Sequence, residues 1–273
     1  MPALDAQTAL ARQPTFGLLP GRRRLLPLLA VAAVALFVVV QALLVIQANP
    51  GDVITGVGGI LDIIRRGVPP DGSILQDAVY QSLVTIDVAV IGTLLPLLFS
   101  LLLGFWAARN VTPGGVLYAG ARGIIGACRA IPDIVWALLF VAAVGLGPFA
   151  ATLGLAVHSI GVLGRLYAEA IEDVRMAPIH ALQVTGANRL QIATHAVLPA
   201  TLPTMIGLTL YRLDTNVRSS LVLGFVGGGG LGFAISQALN LFQYRRLVAL
   251  LIVMAILIMA VEAVAVVLRK RIG

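Results

Sequence analysis

Six apolar runs, separated by stretches rich in glycine, proline and charge, restrict this chain more than any other feature does. Leu25 to Gln47 is the first, about 23 residues without a charge. As a helix such a run crosses a ~30 Å hydrocarbon core, whereas a soluble fold could not bury it on every side. The others are Ser82–Ala108, Ile124–Leu146, Phe149–Leu166, Leu202–Phe225 and Leu247–Leu268. With 59% hydrophobic and 11% charged residues, the chain is far from the roughly one-quarter charged content of soluble domains. The fold class that follows is all-α integral membrane with six transmembrane helices. The net charge of +7 does not point to nucleic acid, because the basic residues border apolar runs instead of forming one patch.

The runs divide the chain. Residues 1–24 read as a cytoplasmic tail ending in Gly21-Arg22-Arg23-Arg24, and 25–47 as the first span. Basic residues ahead of an apolar run also open a signal peptide. This run is too long for a signal core and no small-residue cleavage site follows, so a retained span is expected. Residues 48–81 form an extracytoplasmic loop, with a short amphipathic helix around Ile60–Ile64. Residues 82–268 hold spans two to six, joined between spans two and three by a short, glycine-rich basic connection (109–123), and 269–273 close the chain. Thirteen of the 19 basic residues fall on one side, four on the other and two inside span five. Basic residues favour the cytoplasmic face, so both ends are predicted to be cytoplasmic, in the cell membrane. Arg245-Arg246 is the local exception. Tyr80, Trp106, Tyr118, Tyr167 and Tyr244 near span ends suit an interfacial belt.

Between spans four and five lies the longest polar interval of the later chain, about 169–199. Ile179, Leu182 and Val184, then Leu190, Ile192 and Val197, are spaced like two short amphipathic helices. Gly186-Ala187-Asn188 breaks them and Leu198-Pro199 closes the second. Such a pair, tethered by two spans, presents a face to the water; an ordinary solvated loop is the plainer reading. A bulky residue at Gly186 is expected to clash in the break.

No catalytic module is visible. Lys270 is the only lysine and no G-x-x-x-x-G-K-[ST] motif occurs, so the chain has no P-loop for ATP. Cys128 is the only cysteine, and His158, His180 and His195 lack ligand spacing, so no metal site is expected. Charges inside the spans carry more information. Ionised groups near mid-bilayer are costly and normally face a bundle interior or an aqueous path. Arg212, Thr215 and Ser219 share one helical face, while Asp214 and Arg218 stand at i, i+4 as an ion pair. That pair either lines a path or only locks helices. Arg212, without a local acid, is the better candidate to meet an anion, through its paired donors. Arg129 and Asp133 are again i, i+4, around the kink at Pro132. His158 and Ser159 could donate to an oxyanion or make an interhelical hydrogen bond. Asp87 and Glu262 are single acids awaiting a partner on another helix.

The stretch from Gly186 to Leu198-Pro199 resembles the cytoplasmic "EAA" motif of bacterial ABC importer permeases, with glycine and Leu-Pro in register. His180 stands where the motif has Glu, Leu182 where it has the second Ala, and Ala196 where it usually has Ile. Gly227–Gly232 (GGGGLG) is the run such permeases show after the following helix. More narrowly, RAIPDIVWALLFVAAVGLGPFA (129–150), HSIGVLGRLYAEAIE (158–172) and NVRSSLVLGFVGGGGLG (216–232) are similar to the permease of phosphonate and phosphite ABC importers. The resemblance implies a type I importer permease, an inner-membrane component of a binding-protein-dependent system. It implies a second permease copy or paralogue, an extracytoplasmic binding protein and a cytoplasmic ATPase dimer that itself holds ATP and Mg. The chain would then hold no cofactor, and it would pass a small oxyanion without being an enzyme. It also implies ATPase coupling at His180, Ala181, Gly186, Ala187, Leu198 and Pro199. The substrate pathway is expected at Arg212, Asp214, Arg218, Ser219, His158 and Ser159, and a gate or hinge at Gly227, Gly228, Gly229 and Gly230.

Two rivals stand beside this reading. The methionine importer permease shares the general pattern but usually lacks a first span like 25–47. A proton-coupled secondary transporter could use Asp87, Asp133, Asp214 or Glu262 as relays, although no inverted repeat is evident. A membrane-embedded enzyme lacks any nucleophile–base pairing.

Overall fold

The computed structural model describes residues 22–47 and 50–272; most of the predicted tail 1–24 lies outside the described residues. Every regular element among the described residues is helical. Two units are distinguished, one ending at Leu61 and one beginning at Asp62.

The first unit carries α1 (Arg22–Val45), the predicted first span, and the start of α2 (Pro50–Gly67). Sequence reading allowed only a short helix around Ile60–Ile64; the helix runs for 18 residues. Its ends explain the extension. Pro50 opens it with φ preset, Asp52 sits in the first turn, and Arg65 and Arg66 sit in the last, each charge favourable to the helix dipole.

The second unit holds the remaining spans. Asp71 caps a 3-10 turn (Gly72–Ile74) by accepting from the backbone N–H and the hydroxyl of Ser73, which holds its carboxyl below the usual range. Span two begins at Leu75, seven residues before the predicted Ser82, and is two helices, α3 (Leu75–Leu94) and α4 (Leu97–Ala107). The break falls at Leu95-Pro96, where proline cannot donate to the ladder. Span three also differs from the prediction. The connection expected over 109–123 is helical from Gly115, giving α5 (Gly115–Ala130), which meets α6 (Asp133–Val144) at an 84° bend. Proline at 132 disfavours helical geometry at Ile131, and the chain turns there. The helices α7 (Pro148–Glu172), α10 (Leu198–Leu223) and α12 (Tyr244–Ile272) are spans four, five and six. Among the described residues, five helical segments are long and apolar enough to cross a membrane, and six if the bent pair counts as one span.

The central helix is α7, packed against α3, α4, α5, α6 and α10. Small residues permit this. A Cβ added at Gly154 would lie 2.5 Å from the Ala137 backbone nitrogen of α6, so the two helices touch nearly backbone to backbone. Helix α11 (Gly230–Asn240) folds back after α10 through a wide π turn, Gly224–Gly228. It buries Leu231, Ile235 and Ala238 against Ile74, Ala78, Leu221, Leu247 and Leu250. At this end Arg245 donates to the Pro69 carbonyl (2.8 Å), and Arg246 lies 3.7 Å from Asp77. The two arginines that broke the charge asymmetry are therefore used locally, as anchors.

Candidate functional site

The polar interval between spans four and five folds into α8 (Met176–Val184) and α9 (Arg189–Ile192). Gly186 takes φ +79°, the left-handed geometry glycine adopts at little cost. Its N–H bonds the Gln183 carbonyl (3.0 Å) and the Ala187 N–H bonds that of Leu182 (3.1 Å), the double closure of a Schellman ending. Asn188 then opens α9 with a reciprocal capping box: its side chain accepts from Gln191 N–H, and the Gln191 side chain accepts from Asn188 N–H.

Two expectations for this stretch need correction. Leu198-Pro199 does not close the second helix. A π turn, Ala193–Val197, runs from α9 straight into α10, where Pro199 occupies the first turn and its missing N–H is tolerated. Gly186 is also not crowded: a Cβ there would meet nothing within 4 Å, so only its positive φ resists substitution.

The pair is held rigidly to the spans. Ile179, Ile192 and Val197 are buried with Ala108, Leu163, Tyr167, Ile171 and Met205. Tyr167, expected in an interfacial belt, is buried in this cluster, its hydroxyl 2.6 Å from that of Thr209. Glu172 at the end of α7 accepts from Arg109 N–H and from Arg122, Asn110 donates to the Ile171 carbonyl, and Arg189 donates to the Thr112 carbonyl. Val184 and Leu190 remain outside, 89% and 72% exposed, as do His180, Ala181 and Gly186. Val184 and Leu190 both belong to the apolar spacing that predicted two amphipathic helices, yet neither is buried. Ala187 and Leu198 are half-buried and Pro199 is exposed. The groove of the break, about 390 Å³, is lined by Thr185, Gly186, Gln191 and His195.

The predicted pathway residues separate into two groups. Arg212, only 5% exposed, donates from Nε to the Ser159 hydroxyl (3.0 Å), and its Nη2 has no partner among the described residues. Asn216, one turn on, donates to the same hydroxyl (3.1 Å) and to Thr93 of α3 (2.8 Å), and its Oδ1 has no partner among the described residues. Helices α3, α7 and α10 thus meet at one buried polar node carrying a guanidinium. Asp133 and His158 lie within electrostatic range of it. His158 itself bonds the Ile131 carbonyl through Nδ1 (3.1 Å), and Trp136 donates to the Cys128 carbonyl (3.2 Å). Both carbonyls lose helical partners at the bend, so these side chains repair it.

The second group faces α12. Asp214 is buried and paired with Arg218, as expected from their spacing, and Arg218 also approaches Glu262 (3.9 Å). Asp214 lines an apolar groove of about 320 Å³ between α3, α10 and α12. Ser219 is half-buried. Arg129 and Asp133, predicted partners, are separated by the bend and form no ion pair among the described residues. The Asp133 carboxylate instead accepts from the Ile134 N–H. Asp87 is exposed on α3 and has no ion pair among the described residues.

At the glycine run, Gly227, Gly229 and Gly230 have positive φ, and a Cβ at Gly227–Gly230 would strike Leu146, Ala151, Pro148 and Thr85 respectively. Thr85 accepts from the Leu231 N–H (2.9 Å), locking α11 to α3. Sequence reasoning missed Asn216, Thr93, Thr85 and Glu172 as anchors. Only Asn216 carried a signal, standing i+4 from Arg212.

Residues 100–273 match the family described as binding-protein-dependent transport system inner membrane component. The chain is 36% identical to the phosphite transport system permease protein PtxC of Stutzerimonas stutzeri, over 80% of this chain and 79% of that protein. It is 39% identical to the phosphate-import permease protein PhnE of Mycolicibacterium smegmatis, over 81% of this chain and 42% of that protein. Among solved structures, an inward-facing conformation of the MetNI methionine ABC transporter matches with TM-score 0.65 and 22% identity, over 74% of this chain and 99% of the other.

Proposed function

The chain belongs to the binding-protein-dependent transport system inner-membrane component family, and on that premise we propose that it is the permease for a small phosphorus oxyanion, phosphite or phosphonate. The observation that carries the reading is the α8–α9 pair: capped at its break, packed on α7 and α10, and offering exposed Val184 and Leu190. A rigid pair continuous with a span transmits displacement to that span, which a flexible loop could not do. A cytoplasmic ATPase dimer, holding ATP and Mg through its own P-loops, docks on this face. A second copy of the chain or a paralogue completes the permease, and an extracytoplasmic binding protein delivers the anion. The α8–α9 pair and both chain ends face the cytoplasm, as the basic-residue asymmetry supports.

The Arg212–Ser159–Asn216 node is the oxyanion contact of the pathway, with unused donors on the guanidinium and a buried surrounding that strengthens them. The Gly227–Gly230 elbow is the pivot about which α10 and α11 reorient. Asp214 and Arg218 fix α10 against α12. The test is co-purification of the tagged chain from its host in mild detergent, followed by reconstitution of the recovered complex. Recovery of a P-loop ATPase and ATP-dependent uptake of labelled phosphite or phosphonate is expected. Uptake that survives ATP depletion but stops when the proton gradient collapses would overturn the reading.

A further inference from the structure

Three arginines surround a second cavity, near the α8–α9 end of the spans and separate from the node at Arg212. Arg122, Gly126 and Arg129 follow one another along α5 at i, i+4 and i+7, and Arg165 and Ala168 of α7 form the opposite wall. The cavity holds about 270 Å³. That is room for a phosphate-sized group. Gly126 leaves the middle of the wall open, with nothing within 4 Å of where a Cβ would stand.

The charges around it are unequal. Arg122 donates to Glu172 and to the Ala107 carbonyl, and Arg165 to Glu169 (2.6 Å). Arg129 has no hydrogen bond or ion pair among the described residues, because the bend at Ile131-Pro132 turns Asp133 away from it. Its stem runs close against α7: a Cβ at Gly161 would lie 2.6 Å from the Arg129 Cγ. Three guanidiniums and two carboxylates leave one positive charge, on Arg129, about 10 Å of helix beyond Arg122. The exposed Arg129, without a partner of its own beside two arginines that are already paired, is free to take an anion.

We propose that Arg129, with Arg122 and Arg165, forms a binding site for a tetrahedral phosphate-type oxyanion, as a free anion or as the head of an anionic phospholipid. Guanidinium forks match such oxygens with paired donors, and Gly126 admits the group between two of them. The site goes beyond the transport reading and does not depend on it, since binding can be measured without an ATPase.

The full chain is placed in nanodiscs of phosphatidylcholine and titrated with inorganic phosphate, followed by phosphorus NMR. In parallel, phosphatidylglycerol retained by the chain purified from mixed lipid is counted by native mass spectrometry. Arg129→Gln removes the free fork, and Gly126→Leu keeps every charge but fills the cavity. Wild type should bind one of the two probes, and both variants should bind it roughly tenfold or more weakly. Saturable phosphate binding identifies the free anion, and retained phosphatidylglycerol identifies the lipid. If wild type binds neither probe, or either variant binds like wild type, the site does not exist.

Discussion

At the scale of single residues, burial decides what a charge can do. Arg212 is nearly enclosed, and its Nε donates to a hydroxyl that also serves Asn216. Arg212→Lys keeps the charge but loses the planar fork, so if the fork meets the oxyanion, uptake should fall roughly tenfold or more, as for Arg212→Ala. Uptake at wild-type rate and affinity in the lysine variant would make the residue a helix tie only. Glycines separate in the same way. A Cβ at Gly232 would lie 1.9 Å from the Leu221 carbonyl oxygen, so Gly232→Ala must push α11 off α10 and should lower the melting temperature. At Gly186 the space is open, and Gly186→Ala should cost only about 1–2 kcal/mol, from the left-handed backbone. Comparing thermal unfolding of the two variants checks both statements.

At the scale of elements, the α8–α9 pair is built from its ends inward. The Schellman closure at Gly186 and the box between Asn188 and Gln191 leave little freedom at the break. Replacing Asn188 with alanine should loosen it by about 1 kcal/mol, seen as faster amide exchange in α9. The exposed pair Val184 and Leu190 makes a sharper prediction. Val184→Asp with Leu190→Asp should leave the spans folded, because both side chains are exposed and outside the packed core, and should abolish ATPase recovery on co-purification. Undiminished recovery would move the docking face elsewhere. The bent α5–α6 element shows a complementary logic. His158 and Trp136 supply the donors the break removes, so the kink is a finished structure with its carbonyls bonded.

At the scale of the molecule, two ends with different chemistry emerge. One gathers Arg109, Arg122, Glu172 and Arg189 around the α8–α9 pair. The other gathers Pro69, Asp77, Arg245 and Arg246 around the start of α12. If the first end is cytoplasmic, a single cysteine at Val184, in a chain with Cys128 replaced by alanine, should be closed to a membrane-impermeant thiol reagent in intact cells. One at Gln243 should react. The reverse pattern would invert the topology.

The all-helical membrane class, five of the spans, the α8–α9 pair and the Asp214–Arg218 contact were legible because each depends on local spacing. A hydrophobic run of sufficient length has one outcome in a bilayer, and an i, i+4 pair on a straight helix meets whatever surrounds it. Where the helix is not straight, that inference fails: Arg129 and Asp133 share the same spacing but flank an 84° bend. The tertiary structure alone decided which helix each polar group would face. Ser159 and Thr93 lie 57 and 123 residues from Asn216, yet all three share one node. Sequence fixes the period of a helix but not its rotation against neighbours; that rotation is set here by the close approach of α7 to the helices around it.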